Sequence, residues 1–188
     1  MTKVLQKPKT RKPIVTLHNV TQGSQAWLDL REGLYTGSNA HKLLKYGNID
    51  YALSQINGFK GNFWTNRGHI LENEAIELYE QIKSTSISRV GFVTNSIYPD
   101  CGYSPDGFAR DILIEVKCFS KDKHMTIVRG DIPMEIHAQV QYGMMICNQT
   151  MCHLIAYNPD LEVSDAFKVI EIKANRKIHA NFRRILRG

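Results

Sequence analysis

The stretch "YSPDGFARDILIEVKCF", Tyr103 to Phe119, carries the pattern on which the reading of this chain turns. From Ile112 to Cys118 the residues alternate: Ile112, Ile114, Val116 and Cys118 fall on one face of an extended strand, Leu113, Glu115 and Lys117 on the other. The first face requires a core. The second sets an acid beside a base in a segment that otherwise reads as buried. Upstream, Pro105-Asp106-Gly107 is a turn signal, which predicts a short strand over about 101–109 that doubles back and brings Asp106 close.

Two carboxylates next to a lysine suit metal-assisted hydrolysis of a phosphodiester. Asp106 and Glu115 are hard oxygen ligands for Mg2+ or Mn2+, and such an ion lowers the pKa of a bound water and neutralises charge developing on phosphate. Lys117 would orient or activate the attacking water. A strand face that simply ends in a surface ion pair would give the same string of residues, so the surroundings must decide.

Those surroundings alternate helix and strand. A short helix is expected over Gln22–Glu32 and a second, capped by Thr36 or Ser38, to about Lys45. The stretch 47–66 carries no clear period. Arg67 to Lys83 is helical in pattern, with Leu71, Ala75, Leu78 and Ile82 forming an apolar stripe that Glu72 borders. Strands are expected at about 89–94, 112–118, 152–157 and 166–172. A helix over Pro133–Cys147 separates the second and third of these, with Ile136, Val140, Met144 and Cys147 inward and Pro133 in its first turn. A terminal amphipathic helix turns Ile178, Phe182 and Ile185 inward and its arginines outward. No repeat or low-complexity segment interrupts this order.

The 188 residues suffice for one domain with a core of its own. No apolar run approaches the roughly 18 residues of a membrane span, and residues 1–13 lack the apolar stretch of a signal peptide, so a soluble, cytoplasmic protein without membrane contact is expected. Cys101, Cys118, Cys147 and Cys152 show no CxxC pairing; they read as small hydrophobes rather than as ligands of an iron–sulfur cluster. His41, His69, His124, His137 and His153 lack zinc spacing. The net charge of +6 is unevenly placed. Five Lys or Arg precede Pro13 and six follow from Lys173 onward, neither group with an acid, which leaves 13 basic residues against all 18 acids in between. Such basic ends either solubilise the chain or grip a polyanion while the acidic body gathers carboxylates for metal. The division expected is a basic arm, 1–13, and a single domain, 14–188, that ends in a basic helix.

"SPDG" followed by "IEVK" resembles the PD-(D/E)XK nuclease superfamily, which implies an α/β (α+β) restriction-endonuclease-like core, a central mixed β-sheet flanked by helices. Three further stretches narrow the resemblance: "QAWLDLREGLYTGSNAHKLL", "NRGHILENEAIELYE" and "IHAQVQYGMMICN" look like the opening motif and the two later helices of the YqaJ-like viral recombinase family, the lambda-exonuclease type. Four motifs in family order span about Gln22 to Asn148.

Carried over residue by residue, the resemblance implies metal ligation by Asp106, Glu115 and the Val116 carbonyl, with Lys117 as catalytic lysine. Glu72 would be the helix carboxylate of the site, with Glu74 the alternative register, and Gln141 the glutamine near the attacking water. Arg31 and Ser38 would bind the 5′-phosphate of a DNA end; Gly37 stands where the family more often has alanine. The implied cofactor is Mg2+, with Mn2+ able to substitute and two ions per site. The implied activity is 5′-to-3′ exonucleolysis of linear duplex DNA, leaving 3′ single-stranded tails for recombination by single-strand annealing. Implied partners are duplex DNA ends, a single-strand annealing protein and two further copies in a ring trimer, in the bacterial host cytoplasm if the chain is phage-encoded. The alternatives are a structure-specific or nicking endonuclease on the same fold and a non-catalytic DNA-end-binding module. Phe63 and Trp64 could form a stacking wedge at the end of the duplex, or simply join the core.

Overall fold

The computed structural model describes residues 13–55 and 63–187, with only the backbone at 63–67 and 69. Most of the basic arm (residues 1–12) and the side chains of the expected wedge, Phe63 and Trp64, therefore lie outside the described residues. In chain order the elements are β1 (Val15–His18), α1 (Gln25–Arg31), β2 (Tyr35–Thr36), a 3-10 turn (Gly37–Asn39), α2 (Ala40–Tyr46), α3 (Ile49–Ser54) and α4 (Phe63–Lys83). Then come β3 (Phe92–Asn95), β4 (Tyr98–Tyr103), β5 (Gly107–Ala109), β6 (Ile112–Lys117), α5 (Lys121–Val128), α6 (Met134–Ile146), β7 (Met151–Tyr157), α7 (Val163–Ala166), β8 (Phe167–Lys173) and α8 (Arg176–Leu186).

The expected mixed sheet is present as two four-stranded sheets, β1-β3-β4-β2 and β5-β6-β7-β8. In the second, β6 and β7 run parallel, with Glu115 opposite Leu154 and Lys117 opposite Ala156, between antiparallel β5 and β8. A parallel pair is stable where both faces are covered, and both are. Ile114 and Val116 pack with Leu71, Ala75, Ile76 and Tyr79 of α4, while Leu113 joins the larger core with Tyr103, Tyr142, Met144 and Phe182. The alternation along β6 thus chooses between two interiors, and Glu115, on the α6 side, is 2% exposed.

Local chemistry sets the ends of several elements. Ser24 caps α1, its Oγ accepting from Trp27 N at 3.3 Å, and Asn48 caps α3 in the same way through Tyr51 N at 2.8 Å. Gly47, at φ +68°, ends α2 in the left-handed conformation. Three expectations need correction. The stripe of α4 is rotated toward Ile76 and Tyr79, leaving Ile82 59% exposed, because Tyr79 reaches β7 and bonds His153 Nδ1 at 2.7 Å. The single short strand expected over 101–109 is divided, β4 ending at Tyr103 in one sheet and β5 beginning at Gly107 in the other, so Pro105-Asp106 links the two sheets and the hairpin to β6 turns at Arg110, φ +55°. Within 47–66, Ile49–Ser54 is helical. None of the four cysteines is in a disulfide, and Cys101, Cys147 and Cys152 are buried, as small hydrophobes are.

Candidate active site

β6 delivers the central carboxylate. Glu115 Oε2 accepts from the Tyr103 hydroxyl at 2.5 Å, and Oε1 accepts from Lys117 Nζ and from Gln139 Nε2, each at 2.6 Å. A buried carboxylate survives only with such partners; three donors from β4, β6 and α6 supply them. Asp106, immediately before β5, sits beside it, with Oδ2 accepting from Val116 N at 2.6 Å. The strand pairing that predicts this proximity is real, although the turn lies elsewhere.

The charges are unbalanced. Burial, followed by repulsion from Glu115 and Glu72, pushes the Asp106 carboxyl well above the usual carboxylate range, against the opposing pull of Lys117 and the Val116 N–H. For Lys117 burial works against the ammonium, but Glu115 and Asp106 outweigh it and raise the lysine above its ordinary range. Glu72, on α4, joins the cluster from the rim. Its Oε1 accepts from Arg89 Nη1 at 2.8 Å, and the same guanidinium reaches Asn73 Oδ1 at 2.8 Å and the Asp106 carbonyl at 3.3 Å. Asp106, Glu72 and Arg89 line one cleft of about 800 Å³ together with Gln22, Trp27 and Pro105. Glu74, the alternative register, instead accepts from the Tyr157 hydroxyl at 3.1 Å.

The donor set suits a hard divalent cation: carboxylates repelling one another in a partly buried setting, all with oxygen donors. Among the described residues no three His, Cys, Asp or Glu side chains already converge as a ready-made ion site. Asp106 and Glu115 are the pair at hand; Glu72 would have to exchange Arg89 for the ion.

Gln141 requires correction. It is fully buried and spans from α6 to the β8–α8 junction, where Nε2 donates to the Lys173 carbonyl at 2.9 Å and Oε1 accepts from Asn175 N at 2.8 Å. The glutamine at the site is Gln139, two residues earlier and about 200° around the helix. Sequence reasoning also missed Tyr103 and Arg89. The only available signal was the tyrosine directly preceding the "SPDG" stretch.

Arg31 lies at the other end of the same segment. Nη1 donates to Ser104 Oγ at 2.9 Å and Nη2 to Thr36 Oγ1 at 3.4 Å, while the guanidinium stacks 4.1 Å above the Trp27 ring. Trp27 Nε1 also donates to Ser104 Oγ, at 3.0 Å. Burial lowers the Arg31 pKa, yet a guanidinium stays charged, and among the described residues no carboxylate pairs with it. The structure does not bring Ser38 into this set. Ser38 is exposed on the 3-10 turn, while Arg31, stacked on Trp27, bonds Ser104 and Thr36 instead.

One aromatic ring joins the two halves of the site. A Cβ at Gly37 would lie 2.3 Å from Tyr103 Cε2, and one at Gly143 would lie 2.4 Å from Tyr103 Cζ. Glycine at these positions lets the tyrosine ring lie directly against the 3-10 turn and α6, with its hydroxyl on Glu115.

No helix among the described residues is long and apolar enough to cross a membrane. A search of curated proteins found no match. Among solved structures, the chain is similar to an alkaline exonuclease from Laribacter hongkongensis at 23% identity and TM-score 0.75, covering 87% of this chain and 89% of that one. The dAMP complex of that enzyme gives 21% identity and TM-score 0.76 with the same coverage. A phage-related exonuclease from Haemophilus somnus 129PT matches at 13% identity and TM-score 0.57, over 80% of this chain and 76% of that one. These likenesses establish a shared nuclease fold. The YqaJ-like viral recombinase domain profile matches residues 26–153, most of the chain, and the chain therefore belongs to the YqaJ-like viral recombinase family.

Proposed function

We propose that this protein is a divalent-metal-dependent DNA exonuclease that degrades one strand of a linear duplex from its 5′ end. The observation that carries the reading is the cluster of Asp106, Glu115 and Lys117 at the open end of β6, joined by Gln139 and Glu72. Family membership supports a nucleic-acid substrate, and the structural relatives support nuclease chemistry on this fold.

Asp106, Glu115 and the Val116 carbonyl would hold Mg2+ or Mn2+, with Glu72 contributing directly or through water. A bound ion supplies an activated water and charge neutralisation at the scissile phosphate. Within the chain, Tyr103 and Gln139 fix the Glu115 carboxylate. Lys117, bonded to Glu115, would orient the attacking water and steady phosphate charge. Arg31, with Ser104 and Thr36, would hold the terminal 5′-phosphate by charge-assisted hydrogen bonds. The product would be a 3′ tail passed to an annealing protein, and a trimeric ring would account for processive degradation.

The test is digestion of linear duplexes labelled at either end, beside closed circular DNA, with Mg2+ and with chelator. Loss of label from the 5′ end only, an intact circle and no reaction in chelator are expected, with Lys117→Ala inactive. Cleavage of the circle would instead favour a nicking endonuclease, and full activity in Lys117→Ala would remove the site assignment.

A further inference from the structure

A second basic feature lies away from the cleavage centre. A groove of about 580 Å³ is lined by Pro13, Lys173, Arg176, His179 and Arg183, among others, and by no Asp or Glu. Arg176, His179 and Arg183 stand at i, i+3 and i+7 on α8, which places them on one face over about 10 Å. Among the described residues, none of Lys173, Arg176 and Arg183 has a carboxylate partner. His179 is 9% exposed and its Nε2 has no hydrogen-bond partner, while the ring also bonds to the Gln141 carbonyl. A buried ring nitrogen beside Arg183 can accept a second proton and donate it to an anion once the anion's charge offsets that of the guanidinium.

The groove lies toward the start of β7, at a different level of the sheet from the carboxylates. Glu115 pairs with Leu154, whereas Met151, at the start of β7, pairs with Lys173 and lines the groove. Three residues of strand separate the two levels, about 10 Å, and the groove shares no lining residue with the cleft at Asp106 and Glu72. The row of cations on α8, about 10 Å long, spans about three phosphates of one strand at roughly 3.4 Å of rise each.

We propose that Lys173, Arg176, His179 and Arg183 form a second DNA site that holds backbone phosphates of a single strand in a groove separate from the cleavage centre. The choice of DNA over another polyanion rests on the nuclease reading, so the test must separate the two. Binding of a fluorescent oligothymidylate is followed by anisotropy in chelator, where no cleavage occurs, over a range of salt.

The triple variant Lys173→Ala, Arg176→Ala, Arg183→Ala should lower the slope of log affinity against log salt by about 2, at roughly 0.7 per lost phosphate contact on a single strand. The control of equal charge, Lys177→Ala, Arg184→Ala, Arg187→Ala, removes cations of α8 and its C-cap that lie outside the groove and should keep the wild-type slope. Both variants should still cleave a short end-labelled duplex with Mg2+. Equal loss of slope in the two variants, or oligoglutamate displacing the oligothymidylate as well as unlabelled DNA does, would overturn the proposal. If instead the wild type binds with the predicted slope but cleaves no DNA, the nuclease reading fails and the groove stands.

Discussion

The two glutamines of α6 offer a dissociation that tests the site directly. Gln141→Ala removes a side chain that satisfies the Lys173 carbonyl and the Asn175 N–H. Each buried backbone group left without a partner costs about 1–3 kcal/mol, so the variant should lose roughly 2–6 kcal/mol. For a chain of this length each kcal/mol shifts Tm by about 2–4 °C, which predicts a fall of about 4–24 °C, centred near 12 °C. Gln139→Ala instead removes one donor from Glu115, which keeps Tyr103 and Lys117. Its Tm should fall by less, about 3–6 °C, the low end of a charge-assisted bond, since Glu115 keeps two donors. The charge-assisted bond is worth about 1.5–3 kcal/mol; if it is expressed in the transition state, cleavage slows by roughly ten- to a hundredfold. Metal-free scanning fluorimetry and initial rates on a 5′-phosphorylated duplex measure the two effects. The reverse result, an inactive but thermally unchanged Gln141→Ala beside a fully active Gln139→Ala, would refute the assignment.

Three further outcomes are expected. Asp106→Asn should abolish cleavage while raising metal-free Tm at pH 8. An acid whose folded pKa is raised weakens the fold as pH climbs from its unfolded value near 3.9 through the folded one, so the advantage over wild type should shrink as pH is lowered toward 4; a variant less stable than wild type at pH 8 would contradict the repulsion. Arg31→Ala should erase the preference for 5′-phosphorylated over 5′-hydroxyl ends, about one to two powers of ten, and leave metal-dependent hydrolysis in place; retention of the full preference in relative-rate assays would move the pocket elsewhere. Gly143→Ala should destabilise by about 1–3 kcal/mol through overpacking on Tyr103, and Tyr103→Leu should relieve part of that loss in a double-mutant cycle; strict additivity of the two changes would argue against the contact.

What the sequence made legible follows from which residues had a choice of surroundings. Along β6 each residue belongs to one of two interiors, so alternation exposed the strand, its acid–base pair and the nearby Asp106. The later half of α6 is buried on nearly every side, from Val140 to Ile146, so apolar periodicity does not tell the side facing Glu115 from the side facing α8, and the resemblance alone assigns the role to Gln141 rather than Gln139. β1 is a four-residue edge strand exposed along its middle, and α5 buries only His124 and Ile127; neither carries enough apolar pattern to announce itself. Arg89 acts through contacts 16 and 17 residues back and 17 ahead, which no local spacing encodes.

The Tyr103 ring has a consequence for how such chains can diverge. Because its edge fills the space where side chains at 37 and 143 would begin, the three positions cannot drift independently. An alanine at 37 demands a slimmer residue at 103, and a slimmer residue gives up the hydroxyl that holds Glu115. A lineage could therefore cross from glycine to alanine in this turn only by rebuilding the support of its central carboxylate at the same time, and the two solutions should appear in related sequences as whole sets, with few intermediates.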